Sequence, residues 1–71
     1  MGTVTKATAD KIKAADGHYD DDPRVMRIVE YTDMAGQQAF GLEYEGQIGK
    51  YAESVYIRKP KVYFEVKKGA G

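Results

Sequence analysis

The stretch from Arg24 to Thr32, RVMRIVEYT, decides the fold because we expect the first strand of a sheet there. It is rich in β-branched and aromatic residues and contains neither glycine nor proline, which is typical of a strand. Its apolar residues do not alternate, since Val25 and Val29 fall on one face and Ile28 on the other. This pattern predicts a central strand covered on both faces, or a bulge that changes the facing partway along.

Two later segments alternate with period two, as half-buried strands do. They are AFGLEYEG, residues 39–46, and KVYFEVKK, residues 61–68. Short loops of about 4 to 6 residues between strands favour antiparallel neighbours. We predict a mainly β or small α+β fold, with a three- or four-stranded antiparallel sheet. Its apolar face is expected to contain Phe40, Leu42, Tyr44, Val62, Phe64 and Val66.

The first fifteen residues, MGTVTKATADKIKAA, show only a faint helical stripe that includes Val4 and Ile12. Isolated helices shorter than about 12 to 15 residues are marginal in water. The dipeptide Asp16-Gly17 then supplies a turn signal. We therefore predict a flexible or weakly helical leader over residues 1–21, a β domain over residues 22–68, and a disordered tail over residues 69–71.

The composition excludes several classes of protein. A chain of 71 residues forms one domain at most, and its core must be thin. Eleven basic and eleven acidic side chains leave no net field that would attract nucleic acid or an anionic membrane. Without cysteine there is no disulfide framework, thiolate zinc site or cysteine nucleophile. Because no apolar run could span a bilayer and no signal-peptide core is visible, we expect a soluble, cytoplasmic protein.

The acidic stretch GHYDDDP, residues 17–23, contains the only histidine of the chain and three consecutive aspartates. Carboxylates spaced by two residues occur in calcium loops, but here no bidentate glutamate follows at the required distance. Blocks of like charge are usually solvated and mobile. We interpret the stretch as an acidic linker and expect no metal site.

The end of the sequence, YIRKPKVYFEVKK, interleaves basic and aromatic residues. In the predicted strand, Lys61, Tyr63, Glu65 and Lys67 share the outward face. One interpretation is an edge strand that lysines and a proline protect from aggregation. The other is a single-stranded nucleic-acid surface, in which cations contact phosphates and a ring stacks on a base. The second would use Arg58, Lys59, Lys61, Tyr63 and Lys67.

Six tyrosines are many for so short a chain. Tyrosine combines a large rigid ring with a polar tip and is enriched at protein interfaces. We expect Tyr31 and Tyr44 to pack in the core. Tyr51, Tyr56 and Tyr63 are expected to be exposed enough to contact a partner.

Residues suited to catalysis do not converge in the sequence. No serine or histidine has a nucleophile setting, and no phosphate-binding glycine loop follows a strand. Glu43 and Glu45 fall on the polar face of one predicted strand rather than in a cleft. We therefore predict a protein that is not an enzyme and has no cofactor.

The segments DDPRVMRIVEYT, AFGLEYEG and YAESVYIRKPKVYFEV together resemble small orphan proteins of phage and prophage genomes, over Asp20 to Val66. The resemblance implies a small protein that binds host machinery. We predict a protein-binding module that uses a sheet edge or a tyrosine-bearing surface, with a homodimer as one form; the alternative is weak nucleic-acid binding. The predicted contact residues are Tyr51, Tyr56, Arg58, Lys59, Lys61, Tyr63 and Lys67.

Overall fold

The computed structural model describes residues 2–19 and 22–67. The elements are β1 (Thr3–Val4), α1 (Lys6–Ala14), β2 (Val25–Thr32), β3 (Gln38–Tyr44), α2 (Lys50–Glu53) and β4 (Arg58–Glu65). The four strands form one antiparallel sheet in the order β1-β3-β2-β4. The predicted fold class is confirmed. None of the helices in the described ranges is long and apolar enough to cross a membrane.

Strand β2 lies at the centre of the sheet, between β3 and β4. Its register shifts between Val25 and Arg27, which marks a bulge. Because of the bulge, Val25 joins Ile28 in the core cluster beneath α1, and both are almost completely buried. Val29 is also buried, so both of the predicted explanations for the mixed pattern of β2 apply.

Helix α1 packs its apolar stripe on one face of the sheet, where Ala9 and Ile12 are buried. The hydroxyl oxygen of Thr5 accepts a hydrogen bond from the Thr8 amide, one of the free amides of the first turn, at 3.2 Å. At the other end the Gly17 amide donates to the Ile12 carbonyl at 2.9 Å, which closes the last turn. Packing therefore stabilises a helix that would be marginal alone.

The described part of the segment predicted as a flexible or weakly helical leader, residues 1–21, supplies a strand and a helix to the same core. The fourth strand of the sheet is β1, from this segment. Residues 20 and 21, and the predicted tail over residues 69–71, lie outside the described residues.

Strand β4 departs from the predicted alternation because it contains an extra residue. Ile28 pairs with Phe64 while its neighbour Val29 pairs with Val62, so Tyr63 is left over as a bulge. Tyr63 and Phe64 both pack against the α1 core, whereas Val62 is 44% exposed. The prediction that Val62 belongs to the main apolar face is wrong. The other five residues of that face pack in or against the core cluster, as predicted: Phe40, Leu42, Tyr44, Phe64 and Val66.

The second face of the sheet is covered through α2. The ring of Tyr51 stacks on Tyr31, with ring centres 5.2 Å apart and planes inclined by 24°. It lies directly over Gly41 of β3, where the missing side chain leaves the space that the ring occupies. One aromatic side chain therefore closes much of this face.

Candidate partner-binding surface

Tyr51, one of the predicted contact residues, is buried at 3% exposure. Its ring lies between Tyr31 and the backbone of Gly41, and its hydroxyl donates to the Gly2 carbonyl at 3.4 Å. The prediction that Tyr51 is exposed is wrong, because Gly41 creates a slot in the sheet that the sequence pattern does not reveal. Tyr51 is a core residue of the second face.

Tyr63 is also not on the outward face with Lys61 and Lys67. The bulge turns its ring toward α1, where it packs edge-on against Phe40 at 5.0 Å. Its hydroxyl donates to Asp10 Oδ1 at 2.7 Å, and the ammonium of Lys13 lies 4.5 Å from the ring centre. The expected row of cations around an exposed ring is therefore not formed, and the ring is engaged within the fold.

The contact between Tyr63 and Asp10 predicts a measurable change in the pKa of the carboxyl. Lys6, which donates to Asp10 Oδ2 at 2.7 Å, and then Tyr63 hold the pKa of Asp10 below its ordinary value of 3.8. The resulting stabilisation is complete above the unfolded pKa and is lost as the pH falls through the lower folded pKa. Tyr63→Phe should raise the pKa of Asp10, and Lys6→Gln should raise it further. Carbon-13 NMR titration of the carboxyl measures both, and an unchanged titration would contradict the contact.

Lys67 lies at the opposite end of β4 from the other predicted cations. Its ammonium pairs with Asp16 at 2.7 Å, and its amide donates to the Gly17 carbonyl at 2.8 Å. The ion pair with Lys67 lowers the pKa of the Asp16 carboxyl. Lys67 thus joins the end of α1 to the end of β4 and is separate from the remaining contact residues.

The four other predicted residues are brought together at the start of β4: Tyr56, Arg58, Lys59 and Lys61. Because β4 is antiparallel to β2, this start lies beside the end of β2 and the turn into β3. Arg58 pairs with Thr32, and its guanidinium lies 3.9 Å from where a side chain at Gly36 would begin. The loops before β3 and before β4 therefore meet at one end of the sheet.

Three large apolar side chains are exposed on these two loops. They are Met34 at 76%, Val55 at 86% and Tyr56 at 66% exposure. Tyr56 was among the predicted contact residues, whereas Met34 and Val55 were not, because an apolar residue in a loop gives no periodic signal. We define the loop-end surface as Met34, Val55, Tyr56, Arg58, Lys59 and Lys61.

Both loops of the loop-end surface are held by hydrogen bonds. In the first loop, Asp33 Oδ1 accepts from the Gln37 amide at 2.8 Å, and its carbonyl accepts from Gly36 at 3.0 Å. In the second, Ser54 Oγ accepts from the Tyr56 amide at 3.2 Å. Ordered loops present apolar side chains with little further loss of conformational entropy on binding.

The outer edge of β4 is poorly suited to adding another strand. Pro60 has no amide to donate, and Lys59 has a left-handed backbone with φ of +53°. The register with β2 shifts between Ile28 and Val29 and again between Glu30 and Thr32. Bulges, prolines and lysines are the means by which edge strands avoid pairing with other chains. Of the two predicted binding routes, the sheet edge and the tyrosine-bearing surface, this geometry disfavours the sheet edge, while Tyr56 of the tyrosine-bearing surface is exposed.

The left-handed backbone at Lys59 predicts that glycine is preferred there. A left-handed conformation costs a non-glycine residue roughly 1–2 kcal/mol, and glycine's extra unfolded-state entropy offsets about half of the gain. Lys59→Gly should therefore raise the free energy of unfolding by about 0.5 kcal/mol in urea denaturation. The matched control is Lys61→Gly, at a position without positive φ, which should lose about 1 kcal/mol. Equal losses of unfolding free energy for both variants would refute the left-handed backbone at Lys59.

Glu43 was expected on a polar strand face, but its side chain is buried at 1% exposure. One carboxylate oxygen accepts from Arg27, and the other accepts from the amides of Gly49 at 3.0 Å and Tyr51 at 3.4 Å. The expectation fails because α2 folds over this face and directs its free amides at the carboxylate. Glu43 thus anchors α2 to the sheet.

Across residues 2–19 and 22–67, no three metal-ligating side chains are grouped so that they could hold an ion. Asp20 and Asp21 of the acidic stretch lie outside this description. The loop-end surface is therefore the candidate site, with apolar side chains beside cations. No protein-family model, curated protein or solved structure matches the chain.

Proposed function

We propose that the protein is a non-enzymatic protein-binding module that docks through the loop-end surface. The observation that carries this proposal is the exposure of Met34, Val55 and Tyr56 on two ordered loops at one end of the sheet. Exposed apolar side chains at one end of a fold, especially with an aromatic residue among them, are typical of interaction sites.

The charges around these side chains support a partner with an acidic rim. Arg58 and Lys59 are exposed and form no ion pair with any carboxylate in the described part of the chain. Lys61 lies 3.2 Å from Glu30, but its side chain is still 72% exposed. Complementary charge at a rim mainly raises the association rate and excludes wrong partners.

The resemblance to phage and prophage proteins makes a host protein the proposed partner. The proposed compartment is the cytoplasm, because a chain without cysteine needs no oxidising environment to fold.

Site-specific photo-crosslinking tests the proposal. The photoreactive residue p-benzoylphenylalanine is placed at Tyr56, at Met34, and at the control position Ala14, which is exposed on α1. In cells that produce the protein, the first two positions should give the same discrete crosslinked species, identified by mass spectrometry. The Ala14 position should not give it.

The variant Val55→Ser should reduce the crosslink from Tyr56 without changing the fold, because Val55 is exposed. A product with twice the mass of the chain would identify a second copy as the partner. Nucleic acid in the product would support the alternative function, weak nucleic-acid binding. Crosslinks that are the same at Ala14 as at Tyr56 would overturn the proposal.

A further inference from the structure

A small pocket lies between α2 and β4, next to the loop-end surface. It has a volume of about 70 Å³ and is lined on its apolar side by Val29, Ala52, Pro60 and Val62. This volume is more than twice the roughly 30 Å³ that a water molecule occupies in the liquid. The pocket therefore has room for the branched end of one aliphatic side chain.

One end of the pocket is closed by Arg27 and Glu43. Both oxygens of the Glu43 carboxylate already accept hydrogen bonds from the fold, and the side chains of Val29, Ala52, Pro60 and Val62 have no polar atoms. Water in a site needs about two to four polar partners to be held well. An apolar group therefore gains more free energy than water does by entering the pocket. It also covers Val62, which is 44% exposed.

The most exposed charge in the pocket lining is the ammonium of Lys61, which lies 3.2 Å from Glu30 Oε1. Lys61 contributes to the lining and its side chain is 72% exposed, while the nearby carboxylates of Glu30 and Glu43 are only 17% and 1% exposed. Glu53 of α2 lines a different depression, together with Lys50. A segment entering the pocket is therefore favoured when its flanking residues are acidic.

We infer that this pocket receives a leucine-type side chain from an acidic segment of the partner protein. The inference rests on the proposed protein-binding function and names the chemistry that the partner brings. The loop-end surface would contact the rest of the same partner, since α2 leads directly through Val55 and Tyr56 into β4.

Three blocked pentapeptides test the inference against the full-length, nitrogen-15-labelled protein. The first has leucine between two pairs of glutamates, the second has alanine in place of leucine, and the third has lysines in place of glutamates. The first should shift the amide signals of Ala52, Lys61 and Val62 saturably. The alanine peptide should bind about tenfold more weakly, because it buries less apolar surface. The lysine peptide should also bind more weakly.

Two variants test whether the leucine peptide binds in the pocket. Ala52→Leu places a side chain in the pocket from an exposed helix position and should abolish the shifts, whereas Ala14→Leu on α1 should not. Should Ala52→Leu disturb the fold, Val62→Thr keeps the strand and shape but adds a hydroxyl, and it should weaken binding. Retained binding in a folded Ala52→Leu variant would overturn the inference.

The inference is also overturned if the leucine and alanine peptides bind equally. It is overturned as well if the leucine peptide at about 10 mM, a concentration above the Kd of a weak contact, shifts none of these signals. Its failure is distinguishable from failure of the proposed function. A specific crosslink from Tyr56 with no peptide binding would reject the pocket chemistry alone. Loss of the specific crosslink would reject the docking function itself.

Discussion

Gly41→Ala should lower the free energy of unfolding by about 2–3 kcal/mol, the cost typical of forcing a group into a packed core. An alanine Cβ at this position would lie 2.6 Å from Tyr51 Cε1 and closer still to Cζ and the hydroxyl. The ring has no room to withdraw, because it is buried and stacked on Tyr31. The strand cannot shift freely either, since Gly41 pairs with Thr3 on one side and Val29 on the other.

A double-mutant cycle with Tyr51→Ala isolates the collision. With the ring removed, Gly41→Ala should cost almost nothing in urea denaturation. Gly46→Ala is the matched control: it has φ of +84° and nothing within 4 Å of an added Cβ. Its loss, about 1 kcal/mol from the backbone alone, should be independent of Tyr51. Additive losses for Gly41→Ala and Tyr51→Ala would show that the ring does not occupy the slot.

The sheet could be predicted from the sequence where strands run without bulges. Strand β3 alternates regularly, and Phe40 and Leu42 are buried as its pattern predicts. Strand β4 has the same apparent alternation but contains two register shifts. A bulge changes which face a residue occupies without changing the sequence period, so Tyr63 and Val62 exchange their expected faces.

The helices depend on contacts that no local pattern contains. α1 is too short to be stable alone, and its stability comes from Ala9 and Ile12 packing on the sheet. α2 has only four residues and follows Gly49, which has no side chain to cap the helix. The amides of Gly49 and Tyr51 are satisfied by Glu43, a residue of β3, which explains why the sequence pattern placed both Glu43 and Tyr51 at the surface.

The candidate site was predictable in part. Tyr56, Arg58, Lys59 and Lys61 follow one another along the chain, so sequence proximity placed them together correctly. Met34 joins them only through the antiparallel pairing of β2 and β4, which brings two distant loops to one end. Such a surface can be identified once the register is known.

Glu43→Leu should destabilise the protein by about 2–4 kcal/mol. Removing one member of a buried ion pair usually costs about 3–5 kcal/mol, because the partner charge stays desolvated. The value is reduced here because the side chain of Arg27 keeps 24% exposure and can reach water. The substitution also leaves the amides of Gly49 and Tyr51 without their acceptor. Urea denaturation measures the loss.

The variant Glu43→Gln separates these two contributions, because an amide oxygen can still accept from Gly49 and Tyr51 but carries no charge for Arg27. We expect about half of the loss for Gln, with α2 retained. In Glu43→Leu, amide hydrogen exchange over Lys50–Glu53 should accelerate more than in β2, since local opening frees α2 before the sheet. If both variants lost equal stability with unchanged exchange in α2, Glu43 would act through Arg27 alone, and α2 would be held by the ring of Tyr51.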